Sequence, residues 1–141
     1  MAQTALHTAW ETPHAAPPLP DAWRGVLNAL RVIALECRVD ARDDLFHACA
    51  LLTQSKPKAQ DAFARALFRG MAEALGSRPI FFRPGETELS FDESWLLRLL
   101  IASHSGDGDS VAFLIRSRVP KIYQRHIGFL IRGISEQFCL I

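Results

Sequence analysis

Cysteine and histidine are the side chains of this sequence that most readily bind metal ions, and they come close together only once. Cys37, His47 and Cys49 form that group. A structural zinc site needs about four such ligands at fixed spacings, and these three follow no zinc-ribbon or zinc-finger pattern. Cys37 and Cys49 instead fall at apolar positions of predicted helices, where a free cysteine behaves as a small hydrophobic residue. We therefore expect no metal site and no cofactor.

A calcium loop is excluded by a similar count. Asp107-Gly108-Asp109 has the composition that opens an EF-hand loop, but such a loop requires oxygen ligands at its fifth and twelfth positions. Val111 and Arg118 occupy those positions. The acidic pair is better explained as a turn followed by a helix cap.

The residues that could serve nucleophilic or acid–base catalysis are few and scattered. His104, Ser105 and Asp107 are neighbours in sequence, which does not by itself build a catalytic triad. The chain contains no G-x-S-x-G elbow, no G-x-G-x-x-G and no G-x-x-x-x-G-K-[ST] phosphate loop. We therefore predict that the protein is not an enzyme. The alternative is an enzyme whose site is assembled from distant residues, and its candidates are Glu93, His104, Asp107 and His126.

Helices must position these residues, because apolar side chains recur at three- and four-residue spacing through most of the chain. The predicted helices span residues 21–39, 41–53, 57–75, 91–103, 110–118 and 120–138. Asp21, Asp40 and Asp109 are predicted N-caps, and Ser90 with Glu93 has the spacing of a capping box. The predicted fold class is all-α, a compact bundle of about six helices.

Two features qualify this pattern. In the first helix, Arg24, Arg31 and Arg38 recur every seven residues, which predicts a polar face separate from the apolar one. Near the end of the chain, Val119 precedes Pro120, and a residue before proline avoids helical geometry. The sequence therefore predicts a short corner between the last two helices.

One short segment, residues 79–91, interrupts the helical periodicity. Pro84 and Gly85 occupy the central positions of a type II turn, and the residues after them alternate between apolar and polar. We predict an extended insert here, either a small hairpin or a well-ordered loop.

The 141 residues and 15.7 kDa are the usual size of one domain. Residues 1–20 stand apart, because they hold four prolines and a single charged side chain. We interpret them as a Pro-rich tail that is disordered or lies on the surface. Residues 21–141 are predicted to form a single helical domain.

Charge is distributed unevenly along a chain whose net charge is only +1. Residues 56–83 carry six basic and two acidic side chains, residues 84–110 carry one and six, and residues 111–141 carry five and one. A near-neutral total excludes a uniformly basic nucleic-acid coat. The separate basic segments still offer surfaces for an acidic partner, or for the acidic segment of the same molecule.

The leading functional hypothesis is a small regulatory or interaction module that binds another protein or a second copy of itself. Phe81, Phe82 and Arg83 are the predicted partner-binding residues, since adjacent phenylalanines in an extended segment point to opposite faces. One ring can enter the core while the other serves as an anchor beside the arginine.

The alternative hypothesis is nucleic-acid binding through the last two helices, whose arrangement superficially resembles a helix-turn-helix. The candidate contacts are Arg116, Arg118, Lys121, Arg125 and Arg132. Gly128 falls on the same basic face, and a glycine inside a helix often marks a place where another group approaches the backbone.

Three cysteines, an odd number with no C-x-x-C pair, argue against a secreted disulfide scaffold. No basic n-region and apolar h-region follow Met1, and no stretch of about 18 apolar residues occurs. We expect a cytoplasmic protein that does not bind membranes.

Overall fold

The computed structural model describes residues 19–39 and 56–138. Within these ranges the chain forms α1 (Asp21–Val39), α2 (Lys56–Leu75), α3 (Phe91–His104), α4 (Gly108–Arg118) and α5 (Lys121–Phe138). The described residues contain helices and no strand, which confirms the all-α class. The predicted helix 41–53 and residues 1–18 of the Pro-rich tail lie outside the described residues. The count of six helices is therefore not confirmed.

The last helix, α5, organises the core by packing against α2, α3 and α4. Its fully buried residues are Ile127, Leu130, Ile131 and Ile134. Burying one such side chain contributes about 1.5–3 kcal/mol to stability, so this single stripe is a large part of what holds the bundle together. No helix in the described ranges is both long and apolar enough to cross a membrane.

The ends of the helices follow local chemistry. Ser90 accepts a hydrogen bond from the Glu93 amide at 3.1 Å, and the Glu93 carboxylate accepts one from the Ser90 amide at 2.9 Å. This is the predicted capping box. At the corner between α4 and α5, Val119 is extended, with φ −98° and ψ 125°. The expectation drawn from Pro120 is therefore confirmed.

The predicted cap of α4 is wrong by two residues. Asp107, not Asp109, is the N-cap, and its carboxylate accepts hydrogen bonds from the amide and the hydroxyl of Ser110. These bonds, led by the one from the hydroxyl, hold the pKa of Asp107 below its ordinary value. The helix begins earlier than predicted because Gly106 adopts φ +77° and turns the chain directly into it.

Residues 76–90, which we call the clamp loop, connect α2 to α3. The predicted type II turn is present, with Gly85 at φ +89° and a hydrogen bond of 3.1 Å from the Glu86 amide to the Arg83 carbonyl. The hairpin alternative is not confirmed, because the clamp loop contains turns and no strand. Its backbone groups are bound by side chains of the helices instead of by a partner strand.

Candidate protein-binding groove

The clamp loop is fixed by a buried ion pair between α1 and α3. Arg31 and Glu93 both have fully buried side chains. Arg31 Nε lies 2.6 Å from Glu93 Oε2, and Arg31 Nη2 lies 3.1 Å from Oε1, so the pair is bidentate. An ion pair removed from water is stable only when its remaining hydrogen-bonding groups are satisfied.

Backbone carbonyls of the clamp loop accept hydrogen bonds from the remaining donors of Arg31. Arg31 donates to the carbonyl oxygens of Arg83, Glu86 and Glu88 at 3.3, 2.7 and 2.8 Å. With the two bonds to Glu93, the guanidinium uses the full fork of donors that arginine offers. Arg31 therefore does for the clamp loop what a neighbouring strand does in a hairpin.

The burial of Arg31 corrects the interpretation of Arg24, Arg31 and Arg38 as one polar face. Arg24 is half-buried and Arg38 is exposed, whereas Arg31 is in the core. Its position four residues after the buried Leu27 was the available signal. The burial of Arg31 was not predicted from this position, because a charged side chain such as arginine is almost never fully buried without a partner.

A second ion pair fixes the other end of the clamp loop to α3 and α4. Asp92 Oδ2 accepts a hydrogen bond of 2.7 Å from the Ile80 amide, and Asp92 Oδ1 lies 2.8 Å from Arg118 Nη2. The Arg118 guanidinium also lies over the rings of Phe91 and Trp95, at 4.8 and 4.9 Å from their centroids. The Arg118 side chain is thus engaged in contacts that hold α3 and α4 together.

Between the clamp loop, α1 and α2 lies a groove of about 510 Å³. Its apolar floor consists of Ala34, Cys37, Phe68, Ala72, Pro79 and Phe81, with Ile80 beside them. Its basic side chains are Arg38, Arg65, Arg69 and Arg78. We call this site the arginine groove. Among the described residues, no aspartate or glutamate lines it.

The charge of the arginine groove is partly balanced from outside. Arg65 lies 2.6 Å from Glu36 and 2.7 Å from Asp61, so its charge is locally paired. Arg38 and Arg78 are exposed on the two walls. The groove therefore combines an apolar floor with a positive rim, which suits a ligand that is apolar on one side and anionic on the other.

The three predicted partner-binding residues have different environments. Phe81 is 9% exposed and packs on Phe68 with the ring centroids 4.7 Å apart, which makes it part of the groove floor. Phe82 is half-buried, and its amide donates to Glu93 at 3.2 Å. Arg83 is exposed, at the turn of the clamp loop. Of the three, only Phe81 lines the arginine groove.

The candidate catalytic residues each have a separate structural setting. Glu93 is paired with Arg31, and Asp107 caps α4. His104 packs edge-on against Trp23, with centroids 5.8 Å apart. His126 lies against Gly70 of α2, within 3.4 Å of where a Cβ would stand. In the described part of the chain, no cluster of three potential metal ligands occurs.

Of the predicted nucleic-acid contacts, all but Arg118 have exposed side chains. These are Arg116 of α4 and Lys121, Arg125 and Arg132 of α5. The three basic residues of α5 lie on the helix face opposite its buried stripe.

Comparisons with known proteins add no assignment to this geometry. No protein-family model matches the chain, and neither a curated protein nor a solved structure shows significant similarity to it.

Proposed function

We propose that this protein is a non-enzymatic interaction module that binds another protein through the arginine groove. The observation that carries the proposal is the groove itself, with apolar residues of three chain segments at its floor and four arginines around them. Aromatic residues and arginine are enriched at protein–protein interfaces, and the groove combines both.

The fixed position of the clamp loop supports this proposal. The loop forms one wall of the groove through residues 78–81, and Asp92 and Ser90 bind the backbone of Ile80 within that wall. A wall that is already ordered loses little conformational freedom when a partner binds, so more of the contact energy is available as affinity. The enzyme alternative has less support, because Glu93 is committed to Arg31.

The test is selection of binding peptides from a displayed library of random peptides about 12 residues long, followed by affinity measurement on the purified variants. Arg78→Glu reverses a rim charge, and Ala72→Trp fills the floor. We expect either substitution to weaken the selected peptides at least about tenfold, which corresponds to roughly 1.4 kcal/mol.

The matched control is Arg98→Glu, which reverses an exposed arginine on α3 outside the groove. We expect its affinity for the same peptides to equal that of the wild type. Failure to enrich any peptide, or enrichment of peptides that ignore Arg78→Glu and Ala72→Trp, contradicts the proposal.

Nucleic-acid binding is a second candidate function, favoured by one observation. Lys121, Arg125 and Arg132 are exposed along α5, and the apolar side chains of Phe113 and Ile122 are 71% and 83% exposed nearby in sequence. A row of exposed basic side chains along a helix is typical of a surface that neutralises the phosphates of a nucleic acid.

A further inference from the structure

We infer that the partner of the arginine groove is an acidic segment that binds in extended conformation, as a strand added to the edge of residues 79–81. The inference rests on the proposed function and names the chemistry and the conformation of its ligand. The inference rests on one observation. One edge of this extended segment is hydrogen-bonded to side chains of α3, while the opposite edge faces the groove.

The bonded edge is defined by three hydrogen bonds. The amides of Ile80 and Phe82 donate to the carboxylates of Asp92 and Glu93, and the Ile80 carbonyl accepts from the hydroxyl of Ser90. Bonds from alternate residues to one neighbouring helix are the pattern of an extended chain, in which backbone groups two residues apart point the same way. Residues 80 and 82 therefore turn their backbone groups toward α3.

The backbone groups of the intervening residues turn the other way. In the described part of the chain, no hydrogen bond is made by the amide of Phe81 or by the carbonyls of Pro79 and Phe81. Pro79, Ile80 and Phe81 all line the groove, whereas no residue of α3 does. The unpaired edge consequently lies on the groove side of the segment.

This edge has the pattern that strand addition requires. Phe81 offers an amide donor and a carbonyl acceptor to one residue of an incoming strand, and the Pro79 carbonyl accepts from the residue two positions along it. Proline has no backbone N–H to donate, so the edge ends there. Main-chain bonds of this kind supply affinity in peptide-binding domains, and side-chain pockets supply specificity.

The side chains of the groove define the sequence of the incoming strand. Successive side chains of a strand point to opposite faces, so one set meets the floor at Phe68 and Phe81 while the other set approaches the rim. The floor is apolar and the rim carries arginines. Carboxylates or phosphates at alternate positions, separated by apolar residues, match both at once.

The backbone edge favours a peptide over other anionic ligands. Neither a phosphodiester chain nor an acyl carboxylate carries alternating amide donors and carbonyl acceptors at strand spacing. These two ligands share only their negative charge with an acidic peptide. The arginines alone therefore do not select the peptide, and the backbone edge must do so.

The test uses a fluorescein-labelled octapeptide of alternating glutamate and valine and follows its fluorescence anisotropy with the full chain at low salt. Two probes are compared with the parent: one N-methylated at every glutamate, the other at every valine. Each loses the amide donors of one edge only. We expect one methylated probe to bind within about twofold of the parent and the other to bind at least about tenfold more weakly.

Charge is tested with two further probes. We expect the octapeptide of alternating lysine and valine to bind at least about tenfold more weakly than the parent, and Arg78→Glu to reduce that difference. An octapeptide of glutamate and valine in helical order, with the same composition, should also bind more weakly. The Arg98→Glu control should change none of these affinities.

The contradicting results are specific. If both methylated probes bind like the parent, or neither binds, strand addition is wrong. If peptides from the random library occupy the groove but are not acidic, the inference fails while the proposed function stands. If light scattering shows a dimer that Arg78→Glu dissociates, a second copy is the occupant and the inference is overturned. If no peptide uses the groove, both proposals fail.

Discussion

At the scale of single residues, α5 comes closest to a side chain of α2 at Gly133. A Cβ at Gly133 would lie 2.7 Å from Cε1 of Phe63, closer than real contacts allow. Phe63 is 3% exposed and has little space in which to move. Gly128, which the sequence analysis singled out as a place of close approach, meets only Ile115 Cδ1 at 3.7 Å, an ordinary contact. The close approach therefore occurs at Gly133.

These two glycines give a matched pair of predictions with opposite signs. We expect Gly133→Ala to destabilise the protein by about 1–3 kcal/mol, because Phe63 must be displaced within a packed core. We expect Gly128→Ala to stabilise it by up to about 1 kcal/mol, because alanine favours the helix and the added methyl group fits. Urea unfolding followed by circular dichroism measures both. Equal effects, or a stable Gly133→Ala, would contradict the packing described here.

At the scale of elements, the clamp loop shows how a segment without secondary structure is held in place. Arg31 of α1 and Glu93 of α3 bind its backbone from opposite sides, and both are excluded from water. Removing one member of a buried ion pair leaves the other charge buried without compensation. The Arg65–Asp61 pair of α2 is a useful contrast, since the Asp61 side chain is 41% exposed.

We therefore expect Arg31→Met to lower the free energy of unfolding by about 3–5 kcal/mol, as is typical when a buried pair is broken. Asp61→Asn should change it by less than about 0.5 kcal/mol. If Arg31→Met does not fold, Glu93→Gln preserves the side-chain shape and supplies the measurement by thermal or urea unfolding. Equal small effects of the substitutions at Arg31 and Asp61 would show that the Arg31–Glu93 ion pair contributes little to stability.

The same elements show which features the sequence could predict. The capping box at Ser90, the turn at Gly85 and the corner before Pro120 depend on residues within three or four positions of each other, and each was predicted. The hydrogen bonds of Arg31 to the clamp loop and to Glu93 were not predicted, because these groups lie 52 to 62 residues from Arg31. Its seven-residue spacing from Arg24 and Arg38 indicated a solvated face, and only tertiary packing distinguishes a buried arginine from an exposed one.

The arginine groove was beyond prediction for the same reason. Its basic side chains come from α1, α2 and the clamp loop, and no local pattern brings them together. Phe81 was predicted as part of a binding site, and it does line the groove, but its neighbours Phe82 and Arg83 do not. A contiguous sequence motif thus contributed one residue to a site that the fold assembles.

At the scale of the whole molecule, ion pairs within the chain neutralise part of the charge that is unevenly distributed along the sequence. The acidic segment 84–110 contains six carboxylates, of which Asp92 and Glu93 are paired with Arg118 and Arg31. Both partners lie outside that segment. The exposed basic side chains include Arg38 and Arg78 at the arginine groove, and a separate set on α4 and α5: Arg116, Lys121, Arg125 and Arg132. The two candidate functions therefore use different surfaces and can be separated by substitution.

The nucleic-acid candidate predicts salt-dependent binding through the exposed basic side chains of α4 and α5, three of which lie on α5. A labelled duplex of about 20 base pairs should lose affinity between about 50 and 200 mM salt, with a logarithmic slope near 0.9 for each phosphate contacted. Replacing Lys121, Arg125 and Arg132 together with glutamine should reduce that slope by up to about three such contacts. Arg78→Glu, which lies in the arginine groove, should leave the slope unchanged. If the triple substitution does not change the affinity for the duplex, α5 is not the interface. If Arg78→Glu weakens binding of the duplex instead, the arginine groove attracts polyanions whatever their backbone or sequence.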